Sequence, residues 1–276
     1  MTTATPSNST TVKTIAGTFA DLRSRGRIGL MPFIAAGFPD LETTTASLTA
    51  VADAGASLIE IGFPFSDPIA DGPTIQEAFT YALGKKVKVA DVFAAVAKAR
   101  PTTDVPFVGM LSYSIVFRYG LDRFLADAKA AGFNGLILPD LPPPEAQKVC
   151  GTIRAAGLDT ILLIAPTTTP ERRKGIAELC SGFVYYLSIS GITGERTALP
   201  ADLEQNIRAI KGLTDKPVCV GFGINRPDHV KQLQGVADGA IVGSAFVRRM
   251  KQHEAEGPTV IADSLGAYCR DLLGAL

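Results

Sequence analysis

The chain has 276 residues, 46% of them hydrophobic, with 27 basic and 27 acidic side chains and a formal net charge of zero at pH 7. That length admits one large domain or two small ones, and the apolar content is enough for a sizeable core. Balanced charge gives no net field to recruit nucleic acid or an anionic membrane, which sets polyanion binding aside.

Cys150, Cys180, Cys219 and Cys269 lie far apart, with no Cys-x-x-Cys pair and no neighbouring histidine. Neither a zinc site nor a disulfide framework is expected from that spacing. The four read as reduced, small core residues.

From the N-terminus, residues 1–11 are rich in Thr and Ser, lack the apolar stretch of a signal peptide, and are expected to form a disordered tail. No segment approaches the length of a membrane span, so the expected compartment is the cytoplasm. An amphipathic stretch over 12–25 reads as an extra N-terminal helix, placed to plug the bottom of a barrel. Eight short β-rich apolar runs come next, at 28–36, 58–63, 107–111, 135–138, 160–164, 183–187, 218–221 and 239–242. Helical stretches lie between them, for example 41–54, 121–131, 145–156 and 227–233.

Near-continuous apolar strands indicate a parallel sheet covered on both faces, because an alternating pattern would leave one face wet. Eight βα units in about 250 residues predict an α/β fold, a single (β/α)8 TIM barrel over 12–276, closed by a helix over 261–273. Ala-Gly pairs at 54–55, 131–132 and 156–157 supply glycine helix stops just before strands. A doubly wound open sheet is the second architecture, but its Gly-x-Gly-x-x-Gly is missing after the first strand.

Polar residues at the C-terminal ends of barrel strands are the candidates for chemistry. In the second strand, alternation puts Leu58, Glu60 and Gly62 on one face and Ile59, Ile61 and Phe63 on the other. The second set suits helix packing, so Glu60 is expected to point into the barrel. Desolvation there raises a carboxyl pKa towards the range useful for proton transfer. The alternative is a structural ion pair, for which no strand core after Ile28 offers a lysine or arginine. The next loop holds Asp67 and Asp71 among Pro64, Pro68 and Pro73. Asp67 alone is equally a turn or N-cap residue. Asp71 can converge with Glu60 over the barrel mouth, giving two acids in differing environments. Tyr113 and Asp140 end the third and fourth strands and read either as caps or as substrate contacts.

Strand seven ends in Gly221-Phe222-Gly223-Ile224 and strand eight in Gly243-Ser244-Ala245. Glycines after strands seven and eight, each opening a helix, offer backbone N–H groups to a phosphate. Strand six runs into 188–196, where Gly191 and Gly194 bracket small polar residues; this is a substrate lid or a passive loop. His229 and His253 both fall on predicted surface helices, so a histidine base or metal cluster is not expected. Lys98, Lys129, Lys148, Lys211 and Lys216 fall on helices or on loops entering strands, so no lysine stands where a Schiff base would form. Acid–base cleavage of a substrate with its own electron sink stays open.

The run from Leu58 to Gln76, with its Glu-Ile-Gly-Phe-Pro-Phe-Ser-Asp-Pro-Ile-Ala-Asp-Gly-Pro core, resembles the signature of the tryptophan synthase alpha subunit family. Pro32-Phe33-Ile34, Leu138-Pro139-Asp140-Leu141-Pro142, Ser190-Gly191-Ile192-Thr193-Gly194 and Gly221-Phe222-Gly223-Ile224 match in order, so the resemblance covers roughly 12–251. It implies retro-aldol cleavage of indole-3-glycerol phosphate to indole and glyceraldehyde 3-phosphate, with Glu60 and Asp71 as catalytic residues. It further implies Tyr185 beside Glu60, Phe33, Tyr113 and Phe222 around the indole, and Thr193 closing a lid over Asp71. Gly194, Gly223, Gly243 and Ser244 would hold the phosphate; the proline-stiffened loop at the barrel mouth makes Asp67 and Pro68 the expected contacts of a partner. That partner is the tryptophan synthase beta subunit, in an alpha2beta2 heterotetramer; pyridoxal phosphate is expected there and no cofactor in this chain. Ile189 departs from the pattern, since well-known members carry arginine at that lid position.

A stand-alone indole-releasing lyase would share every motif. A non-catalytic regulatory subunit would not need both Glu60 and Asp71, and a phosphosugar isomerase barrel would lack the second-strand signature.

Overall fold

The computed structural model describes residues 12–67, 71–188, 199–221 and 223–276. Eight strands, β1 Gly29–Ala35, β2 Ile59–Gly62, β3 Phe107–Met110, β4 Phe133–Ile137, β5 Asp159–Ile164, β6 Val184–Leu187, β7 Val218–Gly221 and β8 Gly239–Val242, form one closed parallel barrel in sequence order. Helix α1, Ile15–Ser24, precedes it. Around the barrel run α2 Leu41–Asp53, α3 Pro73–Gly84, α4 Val89–Ala99, α5 Tyr113–Tyr119, α6 Leu121–Ala131 and α7 Pro143–Ala155. The ring is completed by α8 Pro170–Leu179, α9 Leu203–Lys211, α10 Pro227–Gln232, α11 Ser244–Gln252 and α12 Pro258–Leu273.

Every expected run is a strand, and the (β/α)8 barrel is the fold. β4 starts earlier than the apolar pattern implies, at Phe133, because a side chain stands in for the ladder: Asn134 Oδ1 accepts from Phe107 N–H at 3.0 Å. The register between β3 and β4 shifts at that point. β2, β3 and β8 are each followed by two helices rather than one.

The strand alternation divides the core as expected. Ile59 and Ile61 of β2, with Phe63 just beyond its end, join the large cluster under the helices. Leu58 joins an inner cluster with Met31, Val108, Ile137, Ile161, Phe183, Tyr185, Cys219 and Ile241. Ile15 and Phe19 of α1 complete that inner cluster, so α1 does plug the bottom. Glycines make the room: a Cβ on Gly135 would lie 3.1 Å from Ile15 Cδ1, and one on Gly29 3.2 Å from Leu22 Cδ1. Thr14 starts α1 by accepting from Gly17 N–H at 3.0 Å. α1 fills the bottom, and the cavity that holds Glu60 lies at the other end.

Gly55, Gly132 and Gly157 stop helices with φ of +102°, +94° and +80°, a region that favours glycine. Gly266 lets α12 lie close on α2, its Cβ position 3.3 Å from Ala50 O. All four cysteines are free and buried, and burial pushes each thiol above its ordinary range, as core residues require. Among the described residues no helix is long and apolar enough to cross a membrane. The expected tail, 1–11, lies outside the described residues.

Candidate active site

Glu60 sits in the middle of β2, paired with Phe33 on β1 and Val108 on β3. It is 1% exposed, and its Oε2 has no hydrogen-bond partner among the described residues. Burial, with the charge of Asp71 adding to it, raises its carboxyl from an ordinary 4.5 to about 8. No ion pair neutralises it among the described residues, so the structural-pair alternative has no support there. A carboxyl held protonated near neutrality can give a proton and take one back.

Asp71 is buried just before α3, where Gly72 is the N-cap and Pro73 occupies the first turn. Gln76 Nε2 donates to Asp71 O at 2.8 Å, which fixes the backbone and leaves the carboxylate to face the cavity it shares with Glu60. Burial lifts its pKa from 3.8 to about 6. The pair therefore differs: near pH 7 Glu60 keeps its proton and Asp71 carries charge.

Both acids line a cavity of about 40 Å³ together with Phe33, Tyr185, Gly223, Gly243 and Ser244. Phe33 lies over Gly62, and Tyr185 lies over Gly221; in each case a Cβ on the glycine would strike the ring. Tyr185 is buried, and its hydroxyl is pushed well above the ordinary range by burial and by Glu60. Gly243 is the N-cap of α11, so the start of that helix faces the cavity. Gly223 lies further from its helix, since α10 begins only at Pro227. Contrary to the expectation from sequence, it therefore does not open a helix directly. A larger cavity of about 390 Å³ adjoins, lined by Phe65, Asp67, Phe79, Ser112, Pro139 and Asp140; Asp71 and Met110 line both.

The remaining candidates scatter. Asp140 accepts from the Tyr113 N–H at 2.7 Å, next to the N-cap Ser112 of α5, and it also lines the larger cavity. Tyr113 lines neither cavity; its hydroxyl donates to Glu145 Oε2 at 2.7 Å. Asp67 is exposed at the rim of the larger cavity. Thr193, Gly194, Phe222 and Pro68, with the lid position Ile189, lie outside the described residues. Sequence reasoning missed Ile75, Met110, Ile241 and Arg248, all lining the smaller cavity. Arg248 follows Ser244 by one helical turn and could have been found from that spacing. His229 needs correction: it is on a helix but fully buried, because α10 turns it inward onto the loop after β7. Among the described residues no group of His, Cys, Asp and Glu is arranged to hold a metal ion.

A closed barrel with two unlike carboxyl groups at the open end, beside a glycine rim suited to an anion, is the constitution of a (β/α)8-barrel enzyme. The chain belongs to the tryptophan synthase alpha chain family, whose description matches residues 19–274. It is 44% identical over 264 residues to the tryptophan synthase alpha chain of Synechocystis sp., spanning 95% of this chain and 98% of that one. Against the alpha chain of Chloroflexus aggregans it is 45% identical over 262 residues, 95% and 97% of the two chains. Among solved structures, Mycobacterium tuberculosis tryptophan synthase superposes with a TM-score of 0.83 at 36% identity, over 94% of this chain and 99% of that one. A mutant tryptophan synthase alpha-subunit from Pyrococcus furiosus gives 0.82 at 37% identity, over 89% and 98%. The family makes this chain a carbon–carbon lyase acting on indole-3-glycerol phosphate.

Proposed function

We propose that Glu60 performs both proton transfers of a retro-aldol cleavage of indole-3-glycerol phosphate to indole and glyceraldehyde 3-phosphate. Protonated Glu60 gives its proton to C3 of the indole, which makes the ring an iminium. Its carboxylate then takes the proton of the hydroxyl next to C3. The oxygen forms the aldehyde carbonyl as the carbon–carbon bond breaks, and the bonding pair returns to the ring and restores the aromatic indole. Asp71, as a carboxylate, balances the positive charge on the ring nitrogen. Proton transfer by such a group contributes roughly 10²–10⁴ in rate.

The observation that carries this reading is Glu60 Oε2, buried inside the barrel without a protein partner among the described residues, in the same cavity as Asp71. Phosphate is assigned to Gly223, Gly243 and Ser244, with Gly194 from the sequence. Phe33 and Tyr185 flank the reacting carbon, and Phe222 and Thr193 extend that wall on the sequence pattern. Asp71 and Met110 line both cavities, and the indole ring is assigned to the space where the two meet. Tyr113 and Asp140 belong to the rim rather than to the reacting atoms. No cofactor is assigned to this chain. Pyridoxal phosphate belongs to a beta subunit, with which an alpha2beta2 assembly in the cytoplasm is the expected working form.

The test is release of indole from indole-3-glycerol phosphate by Glu60→Gln and Asp71→Asn, measured in single turnover with the beta subunit present. Glu60→Gln is expected to abolish cleavage while leaving fold and ligand binding intact, and Asp71→Asn to lose at least about 10² in rate. Appreciable turnover by Glu60→Gln overturns its role.

A further inference from the structure

The loop after β7 is held by side chains that the reaction does not use. Gly223 has φ +79°, and its carbonyl oxygen lies 3.1 Å from Nδ1 of His229. The other ring nitrogen, Nε2, lies 3.1 Å from the guanidinium of Arg226. A carbonyl only accepts and a guanidinium only donates, so the hydrogen of this ring is on Nδ1. Arg226 is itself gripped by both carboxylate oxygens of Asp228, at 3.0 and 2.9 Å. On α12, the Tyr268 hydroxyl donates to Asn225 O at 2.7 Å.

Two carbonyls of the loop are thus drawn onto α10 and α12. In a trans peptide the carbonyl and the next N–H point in opposite directions. Holding Gly223 O on His229 therefore turns the Ile224 N–H away from α10, and Gly223, Ile224 and Asn225 all line the small cavity. Packing alone would favour an apolar residue at this fully buried position, since an imidazole must satisfy both nitrogens to be tolerated there. Glycine at 223 is free to take several conformations, and an anion site made of backbone N–H groups works only if one of them is fixed.

We propose that His229 is a positioning residue for phosphate binding: it locks the Gly223–Ile224 peptide so that the N–H groups of the loop face the cavity. The proposal rests on the reading of that cavity as the phosphate site. Arg226 and Asp228 serve it by holding the ring in the donating tautomer.

The experiment is calorimetric titration of the full chain with glycerol 3-phosphate and, separately, with indole, alongside steady-state kcat and KM. The variants are His229→Leu, His229→Asn, Arg226→Met and Gly243→Val. His229→Leu removes the donor and is expected to weaken glycerol 3-phosphate about tenfold, appearing in KM rather than kcat, with indole affinity unchanged. His229→Asn should recover most of the loss, because its amide N–H stands near the former Nδ1–H. Arg226→Met, an exposed change, should weaken the phosphate ligand by about threefold, as the ring is released to turn. If Gly243→Val destroys glycerol 3-phosphate binding while the His229 and Arg226 variants leave it unchanged, the phosphate site stands and the positioning role is overturned. If Gly243→Val also has no effect, the phosphate lies elsewhere and both readings fall. Should His229→Leu not fold, the Asn and Met variants decide, and a lowered melting temperature with unchanged affinity in them overturns the proposal.

Discussion

The ring of Tyr185 on β6 fills the space that a side chain at Gly221 on β7 would need, so that the inward faces of two neighbouring strands are shaped by one aromatic residue. Phe33 and Gly62 repeat the arrangement between β1 and β2. Both rings line the cavity that holds Glu60, and the two glycines leave them the space they occupy.

Gly221→Ala is therefore expected to act through Tyr185. A Cβ there strikes the phenol, which must move towards the cavity it shares with Glu60. Overpacking of this kind costs about 1–3 kcal/mol, and here it is divided between the fold and the site. Cleavage should fall by about tenfold or more, against a modest loss of melting temperature. Wild-type kinetics from Gly221→Ala would show that Tyr185 does not border the reacting atoms.

The two raised carboxyls predict a pH profile. Asp71 must be ionised and Glu60 protonated, so kcat/KM should rise through about 6 and fall through about 8. Because Asp71 adds to the shift of Glu60, Asp71→Asn should move the alkaline limb to lower pH. Stability follows from the same shifts. Both folded pKa values stand above the ordinary 4.5 and 3.8, so the protonated forms favour the folded state. Their contribution is complete below those ordinary values and is lost as pH rises through about 6 for Asp71 and about 8 for Glu60. Each group gives a slope of at most about 1.4 kcal/mol per pH unit in its window. Denaturation measured across this range should show the slope flattened in Glu60→Gln, and an unchanged slope would contradict the burial of an ionisable group at 60.

How far the sequence could be read depended on whether a residue's direction follows from local periodicity. Glu60 was legible because a strand has only two faces and Ile59, Ile61 and Phe63 claim one of them. The plug helix was legible because Ile15 and Phe19 recur at helical spacing. Tyr113 was not, because its orientation is set by where α5 starts, and Asp140, a residue distant in sequence, holds that start through the Tyr113 N–H and the hydroxyl of the N-cap Ser112. His229 was hidden for a related reason: α10, Pro227–Gln232, is too short to show a periodic apolar face. Phe33, Tyr185 and the partner came only through the family resemblance, since nothing in their immediate spacing marks them.

Gly243 offers a separate check on the phosphate end. Its Cβ position meets only Ile75 and Phe33, at 3.7 and 4.0 Å, so small side chains fit without straining the barrel. Gly243→Val should then fold normally while placing methyl groups at the mouth of α11, where an anion would sit. Affinity for glycerol 3-phosphate should fall by at least about tenfold, and affinity for indole much less. Equal losses for both ligands would move the phosphate away from α11.

The last prediction concerns the partner. Indole is apolar and would escape by diffusion, so a subunit docked over the barrel mouth has a physical purpose. Asp67 is exposed at the rim of the larger cavity, and the same loop leads to the buried Asp71. Pro64, Pro68 and Pro73 limit the freedom of that loop and so lower the entropy lost on docking. Contact at Asp67 would thereby bias the position of Asp71, and through it the affinities for partner and substrate would be coupled reciprocally. Cleavage by the isolated chain should be low and should rise with added beta subunit; Asp67→Ala and Pro68→Ala should diminish that rise. Steady-state cleavage measured while the beta subunit is titrated into each variant gives the answer. Full activity without the partner would make the chain a stand-alone lyase, and an undiminished rise in both variants would place the interface away from this loop.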